Sequence, residues 1–164
     1  MSAAILLAAL ALSGAAREEQ VEQAALLHTF RSLCLTPAAK AGALAAPAAA
    51  AHFKPTPVRQ THAVWQEAAA WQRGGIRLFR MTDPREPSPR PMCGVSAHVG
   101  LPDTDRGLLE SVYALTEIVF GEGHGARGLS NWTLAQRRGT ISIDIDRSSA
   151  SNVRVTLIAY PRLL

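Results

Sequence analysis

Two neighbouring segments near the end of the chain alternate between apolar and polar residues, and this pattern constrains the fold more than any other feature. A period of two places the apolar residues on one face of a half-buried β-strand. The short polar connection over residues 147–152 predicts an antiparallel hairpin, with Asp144 or Asp146 facing Arg154 across the ladder. The apolar positions are Ile141, Ile143 and Ile145 in the first segment and Val153, Val155 and Leu157 in the second.

The part of the chain that begins at residue 17 is expected to be helical. Residues 17–35 have apolar side chains at helical spacing, which predicts an amphipathic helix. Thr36 and Pro37 form a second helix start signal, with Thr as the N-cap and Pro at the first helical position. We expect a short alanine-rich helix there, interrupted by Pro47, and an irregular connection over residues 48–57. The apolar face of the first helix consists of Leu26, Phe30, Leu33 and Cys34.

The middle of the chain is expected to add strands and one further helix. Strands are predicted over residues 62–65, 76–81 and 92–99, while residues 67–71 fit either a strand or a turn. A helix is predicted over residues 102–121 from the apolar stripe Leu108, Val112, Leu115 and Val119. This order predicts an α+β fold, in which an antiparallel sheet of about five strands packs against two N-terminal helices and one central helix.

The N-terminus has the features of a secretory signal peptide. Residues 1–16 contain no charged side chain and end in small residues. Gly14 and Ala16 suit the shallow pockets of signal peptidase, so we expect cleavage after Ala16 and a single α+β domain over residues 17–164. No Lys or Arg precedes the apolar run, which departs from the signal-peptide pattern. A buried alanine-leucine helix of the mature fold is therefore the alternative.

The chain contains two cysteines, Cys34 and Cys93. An even number of cysteines in an exported chain favours a disulfide, because oxidising compartments allow thiols to pair. Two separate buried thiols are the alternative interpretation. A zinc site would need further ligands, and a redox site of the thioredoxin type would need a Cys-x-x-Cys motif, which this sequence does not contain.

Composition and charge exclude several functional classes. A chain that is 48% hydrophobic and 18% charged is too apolar to be intrinsically disordered. No apolar run approaches the roughly 20 residues that a membrane-spanning helix needs, so we expect no integral membrane segment after signal cleavage. The net charge is +4, but the basic residues are scattered, so we expect no nucleic-acid binding. An envelope-associated protein or an anionic ligand is the partner class that this charge allows.

A glycine-rich segment, Gly121–Gly128, is the first candidate ligand site. It satisfies G-x-G-x-x-G, but it follows a predicted helix and precedes a predicted strand, the reverse of a dinucleotide-binding site. A loop that carries His124 and Arg127 can still contact an anionic ligand. The alternative is a plain connector.

Catalytic and metal-binding patterns are weak. The five histidines (His28, His52, His62, His98 and His124) have no metal-ligand spacing, so we expect neither a metal nor another cofactor. The sequence contains no G-x-S-x-G nucleophile motif. The enzyme alternative is a small hydrolase whose site combines His98 or His124 with Asp144 or Asp146 near the glycine-rich loop.

The surroundings of the two cysteines carry a family resemblance. The stretch Phe30–Cys34 followed by Thr36-Pro37, and the later Met92-Cys93-Gly94-Val95, are similar to sequences of uncharacterised small, signal-peptide-bearing, two-cysteine secreted or periplasmic proteins of Gram-negative bacteria. The resemblance implies export and a disulfide, and it implies no activity. We therefore expect a periplasmic or secreted domain with a non-catalytic binding or structural role.

Overall fold

The structure is a computed structural model that describes residues 20–59, 66–82, 91–100, 105–116, 124–126, 129–136, 139–147 and 153–160. It contains four α-helices, with a π-helical turn at Phe30–Cys34 after the first, in the described part of the chain. The helices are α1 (Gln23–Thr29), α2 (Pro37–Lys40), α3 (Ala45–Ala50) and α4 (Asp105–Thr116). The strands are β1 (Lys54–Thr56), β2 (Gln66–Arg73), β3 (Ile76–Thr82), β4 (Met92–Val99), β5 (His124–Ala126), β6 (Leu129–Gln136), β7 (Gly139–Asp146) and β8 (Val153–Ala159).

All strands belong to one antiparallel sheet in the order β1-β2-β3-β4-β8-β7-β6-β5. Six strands of seven or eight residues form its body, and the three-residue strands β1 and β5 lie at its edges. The predicted α+β class and the antiparallel sheet are confirmed. The number of strands differs slightly from the expected number of about five, because β1, β5 and β6 were not predicted.

The C-terminal hairpin forms as the alternation predicts. Ile143 pairs with Leu157, and Ile145 pairs with Val155, so the apolar side chains of β7 and β8 meet on one face. Asp146 is the carboxylate that pairs with Arg154 in the register. The last strand lies between β4 and β7, which joins the hairpin to the central part of the sheet.

The helices pack on one face of the sheet, here called the inner face. Apolar residues of α1, the π-helical turn, α4 and the inner faces of β3, β4, β7 and β8 form one buried core. Fourteen of its fully or nearly fully buried members illustrate this packing: Leu26, Phe30, Leu33, Cys34, Leu78, Cys93, Val95, Leu108, Val112, Ile141, Ile143, Ile145, Val155 and Leu157. The predicted apolar face of the first helix is therefore confirmed.

A disulfide joins Cys34 to Cys93, with the two Cα atoms 5.2 Å apart. Both cysteines are buried, with 0% and 2% of their surfaces exposed. Because Cys34 ends the π-helical turn and Cys93 lies on β4, the bond ties the helical layer to the sheet. The interpretation as two separate thiols is wrong for this fold.

The first helix is shorter than predicted. Val21 forms a parallel bridge with Val99, and its N–H donates to the carbonyl oxygen of His98 at 2.8 Å. Glu22 is extended, and the helix begins at Gln23. In the described residues, the predicted helix 17–35 therefore lacks its first turn, because the β-branched Val21 contacts the sheet there.

The second helix ends for a different reason than expected. Thr36 caps α2 as predicted, since its hydroxyl accepts a hydrogen bond from the N–H of Ala39 at 3.3 Å. The break then comes at Gly42, whose φ of 72° ends the helical conformation. Pro47 lies in the first turn of α3, where a missing N–H removes no intrahelical hydrogen bond, so the prediction that it interrupts a helix is wrong.

Other boundaries also differ from the prediction. Residues 67–71 belong to strand β2, and part of the expected irregular connection forms α3 and the edge strand β1. The helix α4 is confirmed from Asp105 to Thr116. The predicted strand over residues 62–65, and Val119 of the apolar stripe, lie outside the described residues.

Candidate functional site

Polar side chains occupy a row that crosses the face of the sheet opposite the helices, here called the outer face. Directly paired residues in neighbouring strands share a face. The register pairs Gln72 with Arg77, Arg77 with Ser96, Ser96 with Thr156, and Thr156 with Asp144. These polar residues therefore lie side by side across β2, β3, β4, β8 and β7.

A second row lies next to the first on the outer face. His98 pairs with Arg154, and Arg154 pairs with Asp146. Arg154 donates from Nε at 3.2 Å and from one terminal nitrogen at 3.0 Å toward Nε2 of His98. Since a guanidinium has no acceptor, His98 Nε2 must be the acceptor, which places the imidazole proton on Nδ1 in this arrangement.

A cleft opens where these rows meet the turn between β2 and β3. Its cavity volume is about 180 Å³. We call it the arginine cleft, and its lining consists of Arg59, Gln72, Gly74, Gly75, Arg77, Ser96, Ala97, His98 and Arg154. Hydrogen-bond donors from the connection after β1 and from four strands therefore surround one small space.

Arg77 is fixed in the wall of the cleft by a buried ion pair with Glu67. Nε of Arg77 donates to Oε1 of Glu67 at 3.3 Å, and Nη2 donates both to Oε2 and to the carbonyl oxygen of Pro57. The side chains of Arg77 and Glu67 are only 9% and 4% exposed. The backbone N–H of Arg59 also donates to Glu67, so the carboxylate connects the cleft wall to the chain that follows β1.

A β-bulge brings Glu67 to the outer face. The register between β2 and β3 shifts between Glu67 and Ala69, and Glu67 then pairs with Met81. Strict alternation from Ala70, which pairs with Phe79 on the outer face, would instead direct residue 67 to the helices. The bulge therefore redirects the one carboxylate that Arg77 uses.

Further hydrogen bonds order the lining of the cleft. Gln72 Nε2 donates to the carbonyl oxygen of Gly74 at 3.2 Å, and the hydroxyl of Thr156 donates to the hydroxyl of Ser96 at 3.1 Å. Gly74 has a φ of 53°, a conformation that glycine adopts without strain in a tight turn. The cleft is thus built from ordered groups on sheet strands and a short turn.

A tyrosine at the end of β8 has a perturbed ionisation. Burial raises the pKa of Tyr160 above its ordinary value of 10.0, and the nearby negative charge of Asp144 raises it further. A hydrogen bond with Ser142 opposes these two effects. Tyr160 also packs against an apolar cluster on the outer face that contains Phe79 and Met92.

The predicted ligand loop falls elsewhere. His124 begins the edge strand β5 and pairs with Asn131, so part of the expected loop is a strand. Arg127 lies outside the described residues. The backbone of His124 therefore lies on an edge strand that does not line the arginine cleft, and of the cleft residues only His98 was a predicted candidate for a site.

The residues of the enzyme alternative occupy shared rows but are not neighbours. His98 and Asp146 lie on either side of Arg154, and His124 and Asp144 lie on either side of Asn131. One intervening strand separates each pair, which corresponds to about 9.5 Å between backbones. The contact resolved at Nε2 of His98 is the guanidinium of Arg154, which cannot accept a proton as a catalytic carboxylate can.

Within the described ranges, no group of three or more His, Cys, Asp or Glu residues is arranged to hold a metal ion. No described helix has both the length and the apolar character needed to span a bilayer.

Comparisons with known proteins return no match to a family model, to a curated protein or to a solved structure.

Proposed function

We propose that this chain is an exported domain, closed by a disulfide, with a non-catalytic binding role in the periplasm or outside the cell. The observation that carries the proposal is the buried Cys34–Cys93 bond between the helical layer and β4. Such a structural bond is typical of oxidising compartments, whereas the cytosol keeps thiols reduced. The resemblance to two-cysteine secreted proteins of Gram-negative bacteria agrees with this proposal.

The apolar N-terminus also supports export from the cytosol. Residues 1–16 have the composition of a signal peptide, and the proposed cut after Ala16 precedes Val21, which forms the bridge to β4. Cleavage there leaves every helix and strand of the described fold in the mature chain. The proposed mature domain is therefore residues 17–164.

The outer face of the sheet supports a binding role. The arginine cleft collects three arginines, a histidine, a glutamine and a serine around about 180 Å³. Its side-chain donors fit an anionic ligand, a partner class that the net charge of +4 allows. His98 is engaged with a guanidinium, an arrangement suited to binding rather than to proton transfer from a nucleophile.

Intact mass spectrometry of the protein from an envelope fraction tests export. We expect a mass that lacks residues 1–16 and is further reduced by two hydrogens because the cysteines are joined. Ala16→Glu should block processing, since a charged side chain does not fit the peptidase pocket, while Ala15→Gln serves as the matched control because that residue is not read. A full-length, fully reduced protein recovered from the cytosol would refute the proposal.

A further inference from the structure

We propose that the arginine cleft binds the carboxylate group of a small organic acid, or of the acidic end of a larger molecule. This inference rests on the proposed binding role and names its ligand class and site. It does not depend on export, because the cleft is formed by the folded sheet itself.

The donors that surround the cleft lie on neighbouring strands. Arg77 and Ser96 are direct partners across β3 and β4, while Arg154 lies one row away on β8. Two strand spacings and one row separate the backbones of Arg77 and Arg154 by about 12 Å. Both side chains line the same cleft, with Ser96 on the strand between them.

These donors are held in place before a ligand binds. Nε and Nη2 of Arg77 are used by Glu67 and Pro57, and this bonding leaves Nη1 as the nitrogen for a further acceptor. The guanidinium is held nine-tenths buried, so it loses little conformational freedom when a ligand binds. Arg154 is similarly oriented by its contacts with His98.

The chemistry of the cleft favours a carboxylate as the ligand. Nη1 of Arg77 can donate a hydrogen bond to a carboxylate oxygen, and hydrogen bonds of this kind are strengthened by charge. Phosphate sites commonly use the N-terminus of a helix or a nest of backbone N–H groups. The cleft is instead lined by side chains of four strands, by one hairpin turn and by Arg59 of the connection after β1, which favours a carboxylate over a phosphate.

The size of the cleft sets a further limit. A volume of about 180 Å³ is below the roughly 300–1,000 Å³ of pockets that enclose drug-sized ligands. The cleft therefore accommodates one acidic group with a short carbon chain, and the rest of a larger ligand would extend over the outer face.

Titration of the purified, oxidised protein followed by ¹H–¹⁵N NMR tests the inference. Acetate and succinate are the carboxylate probes, inorganic phosphate is the comparison anion, and chloride keeps the ionic strength constant. We expect saturable shifts at Gln72, Arg77, Ser96 and His98 with the carboxylates, and weaker binding of phosphate.

Variants distinguish a built site from general attraction to a basic protein. Arg154→Gln should weaken succinate binding by about tenfold or more, because it removes a charge-assisted donor. Arg106→Gln is the matched control, since Arg106 is exposed on α4 and pairs with Glu110 away from the cleft. If Arg154→Gln does not fold, Ser96→Ala should weaken binding in its place.

Three results would overturn the inference: no saturable shifts with either carboxylate, stronger binding of phosphate than of succinate, or equal affinity in the cleft variants and the Arg106→Gln control. Each can occur in a protein that is processed and oxidised as proposed. Conversely, carboxylate binding by a protein that stays unprocessed would refute export and leave the cleft assignment intact.

Discussion

Replacing Glu67 with Gln should destabilise the protein strongly, because it removes the charge that compensates buried Arg77. The substitution keeps the shape of the side chain but leaves the guanidinium without its carboxylate. The two side chains are 4% and 9% exposed, so solvent screens the lost interaction very little. Breaking a buried pair of this kind costs about 3–5 kcal/mol in the free energy of unfolding.

Urea denaturation of Glu67→Gln, Arg77→Met and the double variant measures this effect as a double-mutant cycle. The double variant should be more stable than Glu67→Gln, because it buries no uncompensated charge. Arg106→Gln provides the surface control, since the ion pair of Arg106 with Glu110 is exposed and should contribute little to the free energy of unfolding. A loss below about 1 kcal/mol in Glu67→Gln would refute the reasoning, because it would match an exposed pair.

Three further predictions concern stability. Replacing both Cys34 and Cys93 with Ser should lower the free energy of unfolding by about 4 kcal/mol, as the chain-entropy model gives for a loop of this size, and an unchanged urea midpoint would contradict it. Gly94→Ala should lower the thermal midpoint by several degrees, since an added Cβ would lie 2.4 Å from the ring of Phe79; a midpoint equal to wild type would show that the ring moves freely. Because the pKa of Tyr160 is raised by burial, the unfolded state loses its proton first, so stability should fall as pH rises through 10.0. Tyr160→Phe should reduce this alkaline loss, and an identical pH profile of the urea midpoint would contradict the assignment.

The parts of the fold that were predictable are those with a strong local pattern. The period-two segments predicted β7 and β8, since a shift of one residue would expose every apolar side chain of the hairpin. They left two candidates to face Arg154, Asp144 and Asp146, and the register selects Asp146. The Thr36-Pro37 signal similarly located the start of α2. In both cases, neighbouring residues contain the information.

Strands β5 and β6 could not be predicted from the local sequence in the same way. Leu129–Gln136 lacks regular alternation, and glycines surround His124–Ala126. These segments are extended because β6 pairs along its whole length with β7. Tertiary pairing therefore decides a conformation that local propensity leaves open.

The arginine cleft could not be predicted because its residues meet through distant pairings. Arg77 and Ser96 come together across β3 and β4, and Arg154 arrives through the pairing of β4 with β8. The bulge that directs Glu67 toward Arg77 has no marker in the local Glu-Ala-Ala sequence. Arg77 stands between the apolar residues Ile76 and Leu78, but this alternation alone does not identify the partners of its side chain.

Strand β4 connects the two features on which the functional proposals depend. Cys93 lies on its inner face, where it joins the helical layer, while Ser96 and His98 lie on its outer face in the cleft. The disulfide thus stabilises the strand that carries the binding groups without contacting the ligand. Loss of the bond should reduce the folded fraction and leave the carboxylate affinity of the remaining folded molecules unchanged, since the register of β3, β4 and β8 sets the donor positions. A parallel loss of affinity in fully folded Cys34→Ser/Cys93→Ser protein would mean that the covalent tie, rather than the sheet register, positions the cleft.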